Sequence, residues 1–175
     1  MDEPEDQRTP AQRFAEAKRR ASEAKSALAA FQSGYEFGLD GFQLEACALL
    51  ERGRSVLVAA PTGSGKTIVG EFAIYLALAG GTRAFYTTPI KALSNQKFRD
   101  LCERHGADNV GLLTGDSVIN GDAPVVVMTT EVLRNMLHDA SPPVDALSDG
   151  VLDEVHYSAD RQRGAVWEEV ILHLP

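Results

Sequence analysis

The run Ala60-Pro61-Thr62-Gly63-Ser64-Gly65-Lys66-Thr67 has the residue types and spacing to grip a phosphate. Gly63 and Gly65 let the backbone curl so that successive N–H groups face one anion, and the positive end of a following helix adds to the attraction. Lys66 would reach the β and γ phosphates of a nucleotide, and the Thr67 hydroxyl would hold Mg²⁺. The strict pattern begins with Gly where this chain has Ala60, a position that needs only a permissive backbone. Asp153-Glu154-Val155-His156 begins 87 residues after Lys66 and follows a short apolar run. Asp153 would bind Mg²⁺ through water, and Glu154 would orient and deprotonate an attacking water. An isolated Asp-Glu pair is most simply a solvated turn. Opposite a phosphate loop, the pair has the chemistry for metal-assisted ATP hydrolysis.

Such groups need a scaffold that brings a loop and a strand end together. From Phe37 onward, short apolar runs alternate with amphipathic stretches, the signature of βαβ units and a parallel sheet. Strands are predicted at 55–59, 83–87, 110–113, 125–129 and 151–153, and helices at 40–52, 65–79, 91–104, 131–138 and 164–172. The phosphate loop would thus lie between a buried strand and a helix, the context it requires. Ser148-Asp149-Gly150-Val151-Leu152 has only two strongly apolar residues, which predicts a shortened strand that displaces Asp153 and Glu154. Residues 1–8 are acidic and polar and predict disorder. Thr9, Pro10 and Gln12 then form a capping box for a surface helix that Ser33 and Gly34 end. The expected organisation is an N-terminal extension over 1–36 and one α/β domain over 37–175.

At 175 residues and 44% hydrophobic content, the chain suits one packed domain with an extension. It lacks a long apolar run, and its start lacks the features of a secretory signal, so a soluble, cytoplasmic protein without a membrane span is expected. Cys47 and Cys102 have no metal-ligand spacing, which predicts reduced thiols in helices and no zinc site. The net charge of −8 argues against a polyanionic partner. Residues 83–105 run the other way, with Arg83, Lys91, Lys97, Arg99 and Arg104 against Asp100 and Glu103. That segment suits a local phosphate contact or an ordinary solvated helix face.

Taken in order, the phosphate loop, Thr87–Lys97 (TTPIKALSNQK), Thr114–Asp116 (TGD), Met128–Leu137 (MTTEVLRNML) and the segment opening at Asp153 resemble motifs I, Ia, Ib, Ic and II of superfamily-two helicases. Their wording is most similar to the DExH-box RNA helicases that feed the RNA exosome and to their actinobacterial relatives. The resemblance covers residues 37–175 and implies a P-loop RecA-like domain, partial and preceded by a helix. It also implies ATP and Mg²⁺ as ligands, a single nucleic-acid strand as partner with RNA favoured over DNA, and a link to RNA-decay machinery. By position, Phe37 and Gln43 would read adenine, and a glutamine amide can both donate to and accept from its edge. Asp40-Gly41-Phe42-Gln43 also reads as a helix capping box. Pro89, Lys91, Thr114, Gly115 and Thr129 would contact the nucleic-acid backbone, and His156 would couple that side to the ATP site. Trp167, with Val166, Val170 and Ile171 at helical spacing, predicts core packing instead of a base platform. The resemblance further implies a motif III and a second RecA-like domain with arginine fingers, which the sequence does not reach. The 175-residue chain is therefore expected to bind Mg²⁺–ATP weakly and to lack turnover alone. Two rivals are another P-loop enzyme, which would lack motifs Ia to Ic, and a nucleotide-binding remnant that never turns over.

Overall fold

A computed structural model describes residues 26–139, 147–156 and 164–174, with only the backbone of Ser148. The predicted disordered start and most of the predicted first helix lie outside these residues. The chain divides into two compact units, Met1–Leu57 and Val58–Pro175.

In the first unit, α1 (Ala27–Gln32) and α2 (Gly41–Glu51) are the described helices. Ser26 caps α1 by accepting from the Ala29 N–H at 3.0 Å, and the Leu28 N–H donates to Glu51 Oε1 at 3.2 Å. Asp40 and Gln43 form a capping box at the start of α2, the Asp40 N–H donating to Gln43 Oε1 at 2.8 Å.

In the second unit, α3 (Thr67–Gly80), β1 (Arg83–Thr88), α4 (Lys91–His105), β2 (Val110–Thr114), β3 (Ser117–Ile119), β4 (Val125–Thr129), α5 (Thr130–His138), β5 (Leu147–Leu152) and α6 (Gly164–His173) follow in order. The sheet order is β3-β2-β4-β1-β5, with every neighbouring pair parallel except β2 and β3. Because strand side chains alternate between faces, β1, β2, β4 and β5 each feed two cores, while Val118 and Ile119 of β3 are exposed. Ala84, Tyr86, Val110, Leu112, Val125 and Val127 pack with Ile74 and Ala77 of α3 and Leu101 of α4. On the other face, Phe85, Val126 and Met128 meet Leu133 of α5 and Val170 of α6. Trp167 is fully buried, in keeping with its predicted core role.

Three features differ from the sequence reading. Residues 55–59 carry no strand, and Leu57 is 80% exposed. A run of Val, Leu and Ala has strand composition, but a strand exists only where a backbone ladder forms, and none is present there among the described residues. The strand before Asp153 is not shortened: β5 spans six residues and pairs with β1 from Arg83↔Leu147 to Thr87↔Leu152, with a register shift after Arg83. Parallel pairing uses backbone groups, so Asp149 and Gly150 are tolerated where β5 forms the edge. The sheet is mixed, because β3 returns antiparallel from the two-residue Gly115-Asp116 turn. Gly111 makes this return possible: a Cβ there would lie 2.1 Å from the Asn120 carbonyl oxygen.

Cys47 lies buried in α2 and Cys102 half-buried in α4; both thiols are free, and burial pushes that of Cys47 up to about 11. Among the described residues no helix is long and apolar enough to cross a membrane.

Candidate nucleotide and nucleic-acid site

The loop 60–67 closes on its own lysine. Gly63 and Gly65 adopt φ of 82° and 78°, a left-handed conformation that side chains resist. The Ser64 N–H turns back to the Pro61 carbonyl at 3.2 Å. Lys66 Nζ donates to the carbonyls of Ala60 at 2.7 Å and Pro61 at 2.8 Å, so the ammonium sits inside the curl. The space above Gly63 is open to 4 Å. Helix α3 starts at Thr67 directly behind the loop, with the Ile68 N–H donating to the Gly65 carbonyl at 3.1 Å and the Val69 N–H to the Lys66 carbonyl at 3.0 Å, so the positive end of the helix faces the loop.

Gly70, one turn into α3, ties this loop to the acidic corner. A Cβ at Gly70 would stand 3.0 Å from Val151 Cγ1 and 3.4 Å from Tyr86 Cε2, so the bare backbone lets α3 lie directly on β1 and β5. Asp153 follows Val151 by two residues, just beyond the end of β5. Its N–H donates to the Thr87 carbonyl at 3.0 Å. Asp153 Oδ1 accepts from the Glu154 N–H at 2.9 Å, and Oδ2 accepts from the Tyr86 hydroxyl at 2.6 Å. Burial first, then the Asp153 charge, raise the Tyr86 pKa well above its ordinary value, so the hydroxyl keeps its proton and donates it. Glu154 has φ 58°, unusual for a side-chain-bearing residue, and its carboxylate meets His156 Nδ1 at 3.1 Å.

Strand register assembles the remaining candidates. Leu152, Thr87, Met128 and Leu113 pair in one row across β5, β1, β4 and β2. One residue on, at the C-terminal ends of these strands, come Asp153, Thr88, Thr129 and Thr114. With about 4.8 Å between strands, this row is about 14 Å long. It forms the edge at which open α/β sheets bind ligands. Pro89 follows β1, Lys91 opens α4, Gly115 follows β2 and Thr129 caps α5, so the five predicted nucleic-acid contacts share this edge. Lys91 pairs with Asp116, which also accepts from Thr114 Oγ1 at 3.1 Å. These two bonds, Lys91's foremost, lower the Asp116 pKa.

Phe37 and Gln43 belong to the first unit. Gln43 is buried and spends its carbonyl on the capping box, while Phe37 is 58% exposed and meets Tyr35 edge-on at 5.2 Å.

Several residues that hold this edge escaped the sequence reading. Thr88 Oγ1 lies 2.7 Å from Ser94 Oγ, and Thr130 Oγ1 donates to the Thr88 carbonyl at 3.2 Å, which pins the starts of α4 and α5 to β1. Tyr86, Gly70 and Asp116 were missed as well. Their signals were a phenol in an apolar strand, a glycine inside a helix and paired threonines at strand ends. The basic segment is largely spent internally: Arg104 pairs with Glu71, Arg83 donates to the Gly121 carbonyl at 2.9 Å, and Lys97 lies 5.3 Å from the Tyr86 ring centroid.

The donor set fits a nucleotide with Mg²⁺. Among the described residues no three His, Cys, Asp or Glu side chains form a metal cage. Thr67 and Asp153 alone would leave most cation positions to phosphate oxygens and water, as Mg²⁺ prefers.

Residues 40–175 match the family described as DEAD/DEAH box helicase. The chain is 66% identical over 148 residues to the protein named Probable helicase HelY of Mycobacterium leprae, covering 85% of this chain and 16% of that protein. It is 54% identical over 150 residues to the DExH-box ATP-dependent RNA helicase DExH15 chloroplastic of Arabidopsis thaliana, covering 81% of this chain and 13% of that protein. The chain thus spans less than a fifth of the length of these relatives. A solved structure, a hypothetical ATP-dependent RNA helicase from Sulfolobus tokodaii, matches with a TM-score of 0.64 at 19% identity, over 85% of this chain and 46% of that one. That likeness is one of fold.

Proposed function

Because the chain belongs to the DEAD/DEAH box helicase family, we propose that it is the ATP-binding portion of a helicase motor that moves along or unwinds a single nucleic-acid strand, RNA in preference to DNA. The observation that carries this reading is the Gly70 contact. It seats the helix leaving the phosphate loop against β5, two residues before Asp153, so that the element behind the loop packs directly on the strand that leads to the carboxylates. In this reading Ala60 to Thr67 wrap the phosphates and the Lys66 ammonium leaves the Ala60 and Pro61 carbonyls for the β and γ phosphate oxygens. Thr67 and Asp153 would hold Mg²⁺, which when bound neutralises charge on the transferred phosphate. Glu154, hinged by its left-handed backbone, orients the attacking water and takes its proton. His156, bonded to Glu154, relays the state of that carboxylate towards the nucleic-acid edge.

Pro89, Lys91, Thr114, Gly115 and Thr129 lie along one row suited to tracking a backbone without reading its sequence. Phe37 and Gln43 would recognise adenine, since a glutamine amide can both donate to and accept from its edge. RNA is favoured because a relative at 54% identity carries the name RNA helicase, and likeness to exosome-associated helicases suggests work beside RNA-decay machinery.

The test is Lys66→Ala in titration calorimetry with Mg²⁺–ATP. Binding should vanish, because the ammonium is the side-chain cation at the centre of the loop. Unchanged affinity would remove the phosphate-loop assignment. Competition between labelled RNA and DNA strands of one sequence tests the polymer preference, and equal or stronger DNA binding would reverse it.

A further inference from the structure

The Tyr86 hydroxyl has no task in the reading above. Tyr86 is 1% exposed, in the apolar layer beneath α3 and α4. A polar atom there is costly unless bonded, and its bond goes to Asp153 Oδ2 at 2.6 Å, across 67 positions of sequence. The other carboxylate oxygen accepts the Glu154 N–H at 2.9 Å, and the Asp153 N–H is tied to Thr87 at 3.0 Å. Each carboxylate oxygen has two lone pairs, so each keeps one while the plane of the group is fixed by bonds at both ends. The phenol ring is itself clamped: Gly70 of α3 approaches its Cε2 edge, and Lys97 of α4 lies 5.3 Å from its centroid. An aspartate just beyond a strand end would otherwise turn freely about two side-chain bonds.

We propose that Tyr86 is a positioning residue, whose hydroxyl holds the Asp153 carboxylate in the orientation required by a hydrated divalent cation beside nucleotide phosphates. The inference rests on the ATP-site reading and extends it by one residue. Tyr86 touches neither nucleotide nor cation; it acts through Asp153, as partners behind metal ligands do.

Tyr86→Phe keeps the ring between Gly70 and Lys97 and removes one oxygen. A fluorescent ATP analogue is titrated into the full chain with EDTA, and again across a Mg²⁺ series; thermal melts report the fold. Affinity in EDTA should match wild type, while the Mg²⁺ concentration for half-maximal tightening rises on the order of tenfold. In an Asp153→Ala background, Tyr86→Phe should add nothing. An unchanged Mg²⁺ midpoint, an equal loss of affinity with and without Mg²⁺, or a further loss beyond Asp153→Ala each overturns the positioning role while leaving the ATP-site reading in place. A wild-type chain with no Mg²⁺-dependent nucleotide binding overturns that reading, and this inference falls with it.

Discussion

The phosphate loop and the acidic corner face the same chemistry but are held by different means. The loop is closed by its own residues: Lys66 bonds carbonyls five and six positions back, and Gly63 and Gly65 supply the curl. The corner is held from far away, since Asp153 depends on Thr87 and Tyr86 of β1 and on the register of β5 beside them. A local device tolerates strain in the sheet because its bonds travel with it. A long-range device moves whenever packing between strands and helices moves. Chemistry confined to the loop should therefore fail only when loop residues are changed, whereas the corner should fail from a distance as well.

The sharpest break in that comparison is Glu154→Gln. In the complete motor, with its second RecA-like domain, the amide keeps the shape of the side chain and loses the base, so ATP binding should persist while hydrolysis falls about a hundredfold or more, the scale of a lost general base. Calorimetry and a steady-state ATPase assay in parallel separate the two effects. Near-normal turnover would take Glu154 out of the reaction, and lost binding would mean that the corner also shapes the loop.

Gly70→Ala tests the bridge between the two regions. Alanine in a helix interior gains about 1 kcal/mol over glycine, but the added methyl meets Val151 at 3.0 Å and Tyr86 at 3.4 Å. Overpacking of a tight core costs about 1–3 kcal/mol, so the net effect should be a loss of about 1 kcal/mol and a lower unfolding midpoint in urea. Because α3 would be pushed off β5, Mg²⁺-dependent nucleotide binding should weaken more than Mg²⁺-free binding. A variant more stable than wild type would show that Val151 yields and that the contact holds nothing in place.

The same contrast explains what could be read from the sequence. The loop was legible because its function resides in consecutive residues, and α3, β1, α4, β4 and α5 were legible from apolar periodicity. The length of β5 was not, because Asp149 and Gly150 pair through backbone that carries no hydrophobic signal. The expected strand at 55–59 failed for the converse reason, having strand composition without a ladder. β3 was missed because three residues after a tight turn give no period to detect. Tyr86 was not singled out at all, since the bond that distinguishes it reaches a residue 67 positions away.

The smallest expected effect concerns the far end of the strand-end row. Lys91, a proposed backbone contact, is half exposed and engaged by Asp116, whose carboxyl its hydrogen bond holds below the usual range. Asp116 therefore stays ionised through neutral and mildly acidic pH, sets a negative charge beside the proposed strand path and occupies the cation meant for phosphate. Asp116→Asn removes that charge and leaves an amide that can still accept from Thr114. Exposed ion pairs are weak, so single-stranded RNA should bind only about two- to fivefold tighter. The gain should shrink as salt is raised, because exposed charges are screened within about 10 Å at 0.1 M salt. Fluorescence anisotropy at low and moderate salt reads both, with Lys91→Ala as the opposite control. Unchanged or weaker binding in Asp116→Asn would mean that Asp116 aims Lys91 instead of restraining it. The end of the row would then be built by a long-range contact, as the Asp153 corner is.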